Sequence, residues 1–282
     1  MSGDQFRKWL EQAKRNTLIM GILNVTPDSF SDGGRFNELE KAISQVQLME
    51  KNGADIIDIG GESTRPGAVP VSVDEEINRT VPVIEEIRKI SSITISIDTY
   101  KSKVAKMALS AGADFVNDIS GLTFDEGMIN TVKEFEVPVV IMHIQGTPLN
   151  MQKNTTYNDV VKDLLHFFSI QIQKALDFGI NFENIIIDPG IGFGKRPHDN
   201  FTLIRRLKEL SVLGCPILIG PSRKSFIGLS LDLPPDERME GTLATVTASI
   251  LNGASIVRVH DVNEVKRTVI ITEKILNTGT AR

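Results

Sequence analysis

The sequence has almost no cysteine and no long apolar run. Cys215 is the single cysteine among 282 residues, so no disulfide can form within the chain. No apolar run approaches the roughly 20 residues that a membrane-spanning helix needs. Residues 1–16 contain no apolar segment of the kind found in a signal peptide. These absences predict a protein of the reducing cytoplasm that has no membrane partner.

The chain also lacks an excess of positive charge. Its 31 Lys and Arg residues face 36 Asp and Glu residues, which leaves a formal net charge of −5. This balance gives no reason to expect nucleic acid as a partner, and any anion site must come from local basic groups. Several catalytic signatures are missing as well, namely H-E-x-x-H, C-x-x-C, the P-loop and the nucleophile elbow. Their absence argues against zinc, Walker-type and covalent serine chemistry.

A helix-to-strand connection recurs three times along the chain. Gly53, Gly112 and Gly253 each end a helical pattern, and each precedes a short apolar run of strand type. Glycine is the residue that best tolerates the left-handed conformation just past a helix C-terminus. The three connections therefore predict a repeating helix–strand unit.

Eight apolar runs alternate with amphipathic stretches, and this alternation predicts the fold. The predicted strands cover residues 18–23, 55–60, 94–98, 115–118, 137–143, 185–188, 217–220 and 256–260. The predicted helices include residues 37–52 and 157–179, and a helix capped by Ser72 that Pro82 should kink or restart. We predict an α/β protein with one (β/α)₈ barrel over residues 17–282, after an extension, residues 1–16, of no assigned function. A doubly wound open sheet is the alternative, although no G-x-G-x-x-G follows the first strand.

Polar side chains follow every predicted strand. In strand order these include Asn24, Thr64, Arg65, Asp98, Asn117, His143, Asp188, Lys195, Ser222, Lys224, Arg258 and His260. In a barrel the carboxyl ends of all strands form one ring, and that face carries the active site. Single members of this set could be helix caps or solvated charges. Together they predict a site, because desolvating so many polar groups has a cost that a ligand must offset.

The residue types indicate the ligand. Asp98, Asn117 and Asp188 offer carboxylate and amide groups that suit a guanidine-like ring edge, and Lys224 could donate to a ring carbonyl. Arg258 and His260 suit an anion such as phosphate. Asn24 offers an oxygen to a hard cation such as Mg²⁺, which takes few protein ligands.

Seven strings in these regions closely resemble dihydropteroate synthases. They are NVTPDSFSDGG, GGESTRPG, SIDTY, NDISG, DPGIGFGK, SRKSFIG and RVHDV, in that order, and the resemblance covers about residues 17–274. The resemblance implies a (β/α)₈ barrel, a homodimer, use of Mg²⁺ and inhibition by sulfonamides. It implies condensation of 6-hydroxymethyl-7,8-dihydropterin diphosphate with 4-aminobenzoate, which releases pyrophosphate. We expect a dissociative mechanism, in which the C–O bond breaks before the amine attacks.

The resemblance also implies a role for each site residue. The pterin would be held by Asp98, Asn117, Asp188 and Lys224, with Met142 and Phe193 packed near its ring. The diphosphate would be held by Thr64, Arg258 and His260, and Mg²⁺ by Asn24. The aminobenzoate would be held by Ser222, Phe30, Arg65 and Pro66. The catalytic groups would be Lys224, Arg258, His260 and Asp98.

Two other functions fit part of this pattern. A pterin-dependent methyltransferase would share the barrel and the pterin pocket, but it would not need the SRK string or the TPDSF and STRPG loops. An inactive pterin-binding paralogue would be expected to have lost Asn24, Arg65, Lys224 or Arg258, all of which are present.

Overall fold

Eight parallel strands form the centre of the fold. The computed structural model of the protein describes residues 1–26, 35–153 and 155–278. Within these residues the strands are β1 Leu18–Asn24, β2 Ile56–Gly60, β3 Thr94–Asp98, β4 Phe115–Asp118, β5 Val139–Met142, β6 Ile185–Asp188, β7 Leu218–Ile219 and β8 Ile256–Val259. Their order in the sheet is β6-β5-β4-β3-β2-β1-β8-β7. A parallel bridge between Ile187 and Ile217 joins the two outer strands. The predicted (β/α)₈ barrel is confirmed, and the open sheet is wrong.

Helices surround the barrel. In the described part of the chain they are α1 Gly3–Leu10, α2 Arg35–Lys51, α3 Val73–Ile90, α4 Ser102–Ser110, α5 Gly127–Phe135, α6 Val160–Asp177, α7 Pro197–Arg205, α8 Ser225–Leu231, α9 Met239–Leu251 and α10 Val262–Asn277. The strand residues are buried on both faces, as expected for parallel strands enclosed by helices. Among the residues that the structure describes, every helix is too short or too polar to serve as a membrane span.

The three predicted connections have the expected backbone. Gly53, Gly112 and Gly253 have φ angles of 95°, 113° and 102°. A Cβ atom at Gly112 would also lie 2.9 Å from the side chain of Arg88. Both the conformation and the close approach therefore require glycine at this position.

Helix α3 runs without a break through Pro82. Its first turn is capped as predicted, since the Ser72 hydroxyl accepts the backbone N–H of Glu75 at 3.2 Å. The predicted restart at Pro82 is wrong. Proline removes one backbone hydrogen bond, and the burial of Val83, Ile84 and Ile87 against the barrel keeps the helix continuous.

Helix α1 packs against the amino ends of the strands. Phe6, Trp9 and Leu10 form one apolar cluster with residues such as Leu18 and Phe115, which begin their strands. The rings of Phe6 and Phe115 stack with centroids 4.8 Å apart. The segment that the sequence leaves without a role therefore closes the end of the barrel opposite the polar ring.

Candidate functional site

Arg258 joins two acidic strand ends. From β8, its Nε donates to Asp58 Oδ2 on β2 and its Nη2 donates to Asp98 Oδ2 on β3, both at 2.6 Å. Burial alone would lower the pKa of Arg258, but the two carboxylates raise it above its usual range. Burial raises the pKa of Asp98 to about 7, although Arg258 opposes that shift. The predicted pterin and diphosphate residues thus meet in one charged network.

Asp58 is a member of this network that the sequence reasoning missed. Its side chain is fully buried and accepts the Ser96 hydroxyl at 2.6 Å and the Asn117 amide N–H at 3.1 Å. It lies within the apolar run of β2, Ile-Ile-Asp-Ile. Burying a carboxylate in the middle of a strand costs free energy unless the group is paired. An aspartate within an apolar run was therefore the sequence signal that could have revealed the role of Asp58.

Two buried acceptors at the strand ends have no hydrogen-bond partner among the described residues. They are Asp98 Oδ1 and Asn117 Oδ1. Buried polar atoms in native proteins are nearly always paired. The two oxygens therefore indicate a ligand that donates hydrogen bonds, as the edge of a pterin ring does.

Asp188 at the end of β6 and Lys224 at the start of α8 carry opposite charges. Asp188 Oδ1 accepts the backbone N–H of Gly190 at 2.7 Å, and burial raises the pKa of this carboxyl to about 6. Burial and the positive charge of Arg258 lower the pKa of Lys224 to about 8. The Lys224 ammonium lies 4.1 Å from the centre of the Phe193 ring. This contact aligns the cation with an aromatic face.

Apolar side chains form one wall beside these charges. Met142 and Phe193, both predicted to lie near the pterin ring, belong to one buried cluster with Ile119 and Met151. Tyr100 and Ile144 pack against that cluster. An apolar wall next to a few directed polar groups is the usual composition of a small-molecule site.

Ser222 and His260 contact each other directly. The Ser222 hydroxyl lies 3.0 Å from His260 Nδ1, and it accepts the backbone N–H of His260 at 3.3 Å. Burial, followed by the charge of Arg258, lowers the pKa of His260 to about 4. Between Ser222 and Lys224, Arg223 has a φ of 57° and pairs with Asp261. This pairing directs Arg223 to the start of α10.

Asn24 ends β1 and pairs in register with Gly60. A Cβ atom at Gly60 would lie 3.5 Å from Asp98 Cβ and 3.8 Å from Asn24 Oδ1, so the glycine leaves space between these side chains. The described residues contain no group of three or more His, Cys, Asp or Glu side chains arranged to hold a metal. A single amide oxygen fits Mg²⁺, which keeps waters and substrate oxygens as its other ligands.

The loop between β2 and α3 is anchored at both ends and exposed in the middle. Lys101 Nζ donates at 2.6 Å to both Glu62 and Glu76, and at 2.8 Å to the carbonyl of Val71. Thr64 is half-buried, whereas Arg65 and Pro66 are exposed. The described structure therefore does not bring Arg65 and Pro66 into a hydrogen-bonded contact with Ser222. Phe30 lies outside the described residues.

A buried lysine connects the loop after β5 with the loop after β6, next to the apolar wall. Lys195 Nζ lies 3.0 Å from His143 Nδ1 and donates to the carbonyls of His143 and Phe193 at 3.2 and 3.0 Å. Burial lowers the pKa of Lys195 to about 7, and burial together with the Lys195 charge lowers the pKa of His143 to about 2. His143 thus stays neutral and accepts from the lysine. This pair holds the backbone that carries Phe193.

Comparison with known proteins places the chain in a family. The family model described as pterin binding enzyme matches residues 20–260. The chain is 54% identical over 249 residues to the dihydropteroate synthase of Synechocystis sp., which covers 88% of this chain and 86% of that protein. The chain belongs to the dihydropteroate synthase family. The resemblance seen in the sequence is confirmed, and the chain is an enzyme, a transferase of folate synthesis.

Solved structures of dihydropteroate synthases have the same fold. The Yersinia pestis enzyme, in complex with a sulfonamide drug, is 42% identical and superposes with a TM-score of 0.89, covering 93% of this chain and 95% of that one. The Xanthomonas albilineans dihydropteroate synthase, solved with 4-aminobenzoic acid, is 39% identical with a TM-score of 0.87, covering 95% and 94%.

Proposed function

We propose that this chain condenses 6-hydroxymethyl-7,8-dihydropterin diphosphate with 4-aminobenzoate to form 7,8-dihydropteroate and pyrophosphate. The observation that carries this proposal is the pair of unsatisfied acceptors, Asp98 Oδ1 and Asn117 Oδ1, in the same network as the Arg258 cation. Acceptors that lack donors suit the amino and ring N–H groups of a pterin. The adjacent cation suits its diphosphate. The complex of the Xanthomonas relative with 4-aminobenzoic acid supports the second substrate.

The residue roles follow from this arrangement. Asp98, Asn117 and Asp188 would accept from the pterin edge, and Lys224 would donate to its carbonyl beside Phe193. Thr64, Arg258 and His260 would receive the diphosphate. Ser222, Arg65, Pro66 and Phe30 would receive the aminobenzoate. Arg258 has five N–H donors, of which two bind Asp58 and Asp98, so others remain for phosphate oxygens.

Magnesium would be held by Asn24. When bound, the ion would supply charge stabilisation to the departing diphosphate. The test is pyrophosphate release with and without a chelator. Loss of release that Mg²⁺ restores would support the role, and full activity in chelator would contradict it.

We infer a dissociative reaction. The C–O bond of the substrate would break first, its electrons leaving with pyrophosphate, and Arg258 and His260 would stabilise that negative charge. The dihydropterin methylene cation would lie among Asp98 and Asp188, whose charges favour it. The arylamine nitrogen would then form a bond to the methylene carbon and release one proton to the pyrophosphate or to solvent. Ser222 Oγ lies 3.0 Å from His260 Nδ1, but no third group among the described residues orients the His260 ring as a base, and burial lowers its pKa to about 4, so we assign no covalent nucleophile.

Two measurements test these proposals. Pyrophosphate release should require both the pterin diphosphate and 4-aminobenzoate, and a sulfonamide should compete with the latter. Pyrophosphate release that requires neither of the two substrates would refute the proposed function. For the mechanism, ¹⁸O at the bridging position of the pterin diphosphate should exchange into non-bridging positions when aminobenzoate is absent. Absence of exchange, with turnover that rises steeply with arylamine basicity, would indicate direct displacement.

We also propose that the enzyme is a cytoplasmic homodimer, as its resemblance to the family implies. Light scattering on the purified protein measures its mass. Twice the mass of one chain would support a dimer, and the mass of a single chain would contradict it. Cell fractionation would test the compartment.

A further inference from the structure

The Asn117 amide can present either its oxygen or its nitrogen to the active site. In the structure Nδ2 donates to Asp58 Oδ2 at 3.1 Å, so Oδ1 takes the other direction and lies buried without a partner among the described residues. The orientation of this amide decides whether Asn117 offers an acceptor or two donors to a ligand. Whatever sets that orientation also sets the chemistry of the site.

Asp58 is held so that it can only accept. Arg258 Nε binds its Oδ2 at 2.6 Å, and the Ser96 hydroxyl binds its Oδ1 at 2.6 Å. Asp58 forms an ion pair with Arg258, and its contacts in the described structure all come from donors, as expected of a carboxylate, which has none of its own to offer. Asn117 must therefore turn its NH₂ group toward Asp58.

We propose that Asp58 is a positioning residue, which orients the Asn117 amide so that its oxygen accepts from the pterin ring edge. This proposal rests on the proposed function, because it deepens the role of the same pterin site. Asp58 itself need not touch the substrate. It acts through Asn117, while Ser96 and Arg258 hold its two oxygens in place.

The test is binding of 6-hydroxymethylpterin to the full-length protein, measured by calorimetry. Asp58→Ala should weaken binding about tenfold or more, which is the effect of losing roughly one hydrogen bond. Asp58→Asn should retain affinity within about threefold, because its amide oxygen can face Asn117 while its NH₂ group faces Ser96. Should Asp58→Ala fail to fold, Asp58→Ser leaves a smaller cavity, and its shorter side chain also cannot reach Asn117.

A double-mutant cycle distinguishes a specific effect of Asp58 on the Asn117 amide from a general loss of packing in the barrel. If Asp58 acts through Asn117, Asp58→Ala should have little further effect on pterin affinity in an Asn117→Ala background. A loss of equal size in both backgrounds would overturn the proposal. So would unchanged pterin affinity in Asp58→Ala alone.

Asp118→Ala provides a matched control. Asp118 is also a fully buried carboxylate, but among the described residues it accepts hydrogen bonds only from its own loop, at Ser120 and Leu122. The variant should lower the melting temperature and leave pterin affinity within about threefold. An equal loss of affinity in this variant would mean that loosening of the barrel explains the effect. A wild-type protein that binds no pterin would instead refute the proposed function.

Discussion

Asp98 and Asp188 show how burial and charge are balanced at single residues of the site. Burial raises the pKa of Asp98 to about 7 and that of Asp188 to about 6, while Arg258 and Lys224 act in the opposite direction. The cations keep both carboxyls able to ionise near neutral pH. An ionised, desolvated carboxylate is a strong acceptor for the N–H groups of a bound ring.

Asp188→Asn should weaken pterin binding. The substitution preserves shape but replaces one acceptor oxygen with a donor, which would leave an N–H group of the ring unpaired. The expected loss is about 1–3 kcal/mol of binding free energy. Calorimetry with 6-hydroxymethylpterin measures it, and pyrophosphate affinity serves as the control, because it should change little. Unchanged pterin affinity would exclude Asp188 from the pterin edge.

Pterin affinity should fall as the pH falls from 8 to 5. The carboxylate forms bind the ring, and burial raises the pKa of Asp98 to about 7 and that of Asp188 to about 6, so both groups become protonated as the pH falls from 8 to 5. Binding at each pH can be followed by calorimetry. In Asp188→Asn the part of the pH dependence centred near 6 should disappear. A flat profile in the wild type would contradict the raised pKa values.

At the scale of elements, the loop between β2 and α3 combines a rigid base with an exposed tip. Lys101 holds Glu62 and Val71 at its two ends, whereas Arg65, Pro66 and Gly67 are exposed. The sequence, rich in Gly, Pro and Ser at residues 25–36 and 61–70, predicts two mobile lids. Residues 27–34, in the first of these loops, lie outside the described structure.

Hydrogen exchange tests this division of the loop. Amides of residues 63–69 should exchange fast in the free enzyme and slowly with pterin and pyrophosphate bound, because closure excludes water. Lys101→Met should extend fast exchange to residues 61, 62 and 71, since it removes the cation that Glu62 and Glu76 share. Lys106→Met is the control, because Lys106 pairs with Glu134 on the exposed surface, away from this loop. Full protection of residues 63–69 in the free enzyme would contradict the lid.

At the scale of the whole molecule, the two ends of the barrel have different tasks. The carboxyl ends carry the charged network, and the amino ends are closed by α1. Trp9 is almost fully buried, and its indole N–H donates to the carbonyl of Asn16 at 2.9 Å. Stability and chemistry are thus separated along the barrel axis, as in other barrels of this type.

Trp9→Ala should therefore lower stability and spare binding. The expected loss is about 3–5 kcal/mol in the free energy of unfolding, the usual cost of removing a large buried aromatic side chain. Urea unfolding measures this, and Lys8→Ala, an exposed change on the same helix, is the control. Pterin affinity of the folded protein should stay within about twofold. A loss below about 1 kcal/mol in the free energy of unfolding would mean that the packing of α1 against the barrel contributes little to stability.

Sequence periodicity was enough to predict the barrel, because the patterns that mark strands and helices depend on residues close together in the chain. The predicted strands at residues 94–98, 115–118 and 185–188 agree with β3, β4 and β6, and the three connecting glycines have positive φ. The predicted restart of the helix at Pro82 was wrong, because tertiary burial of its neighbours outweighs one missing hydrogen bond. The role of α1 was missed, since a helix that closes a barrel looks in sequence like any short amphipathic helix.

The fold class, the family and the residue types at the strand ends could all be predicted from the amino-acid sequence, because strand periodicity, turn chemistry and long strings are local properties. How those side chains pair depends on the closed barrel. Asp58 and Arg258 lie 200 positions apart, and Lys195 meets His143 across 52. No local pattern encodes such distances. The closure of the barrel brings these charges together, and their mutual burial shifts the pKa values and orients Asn117.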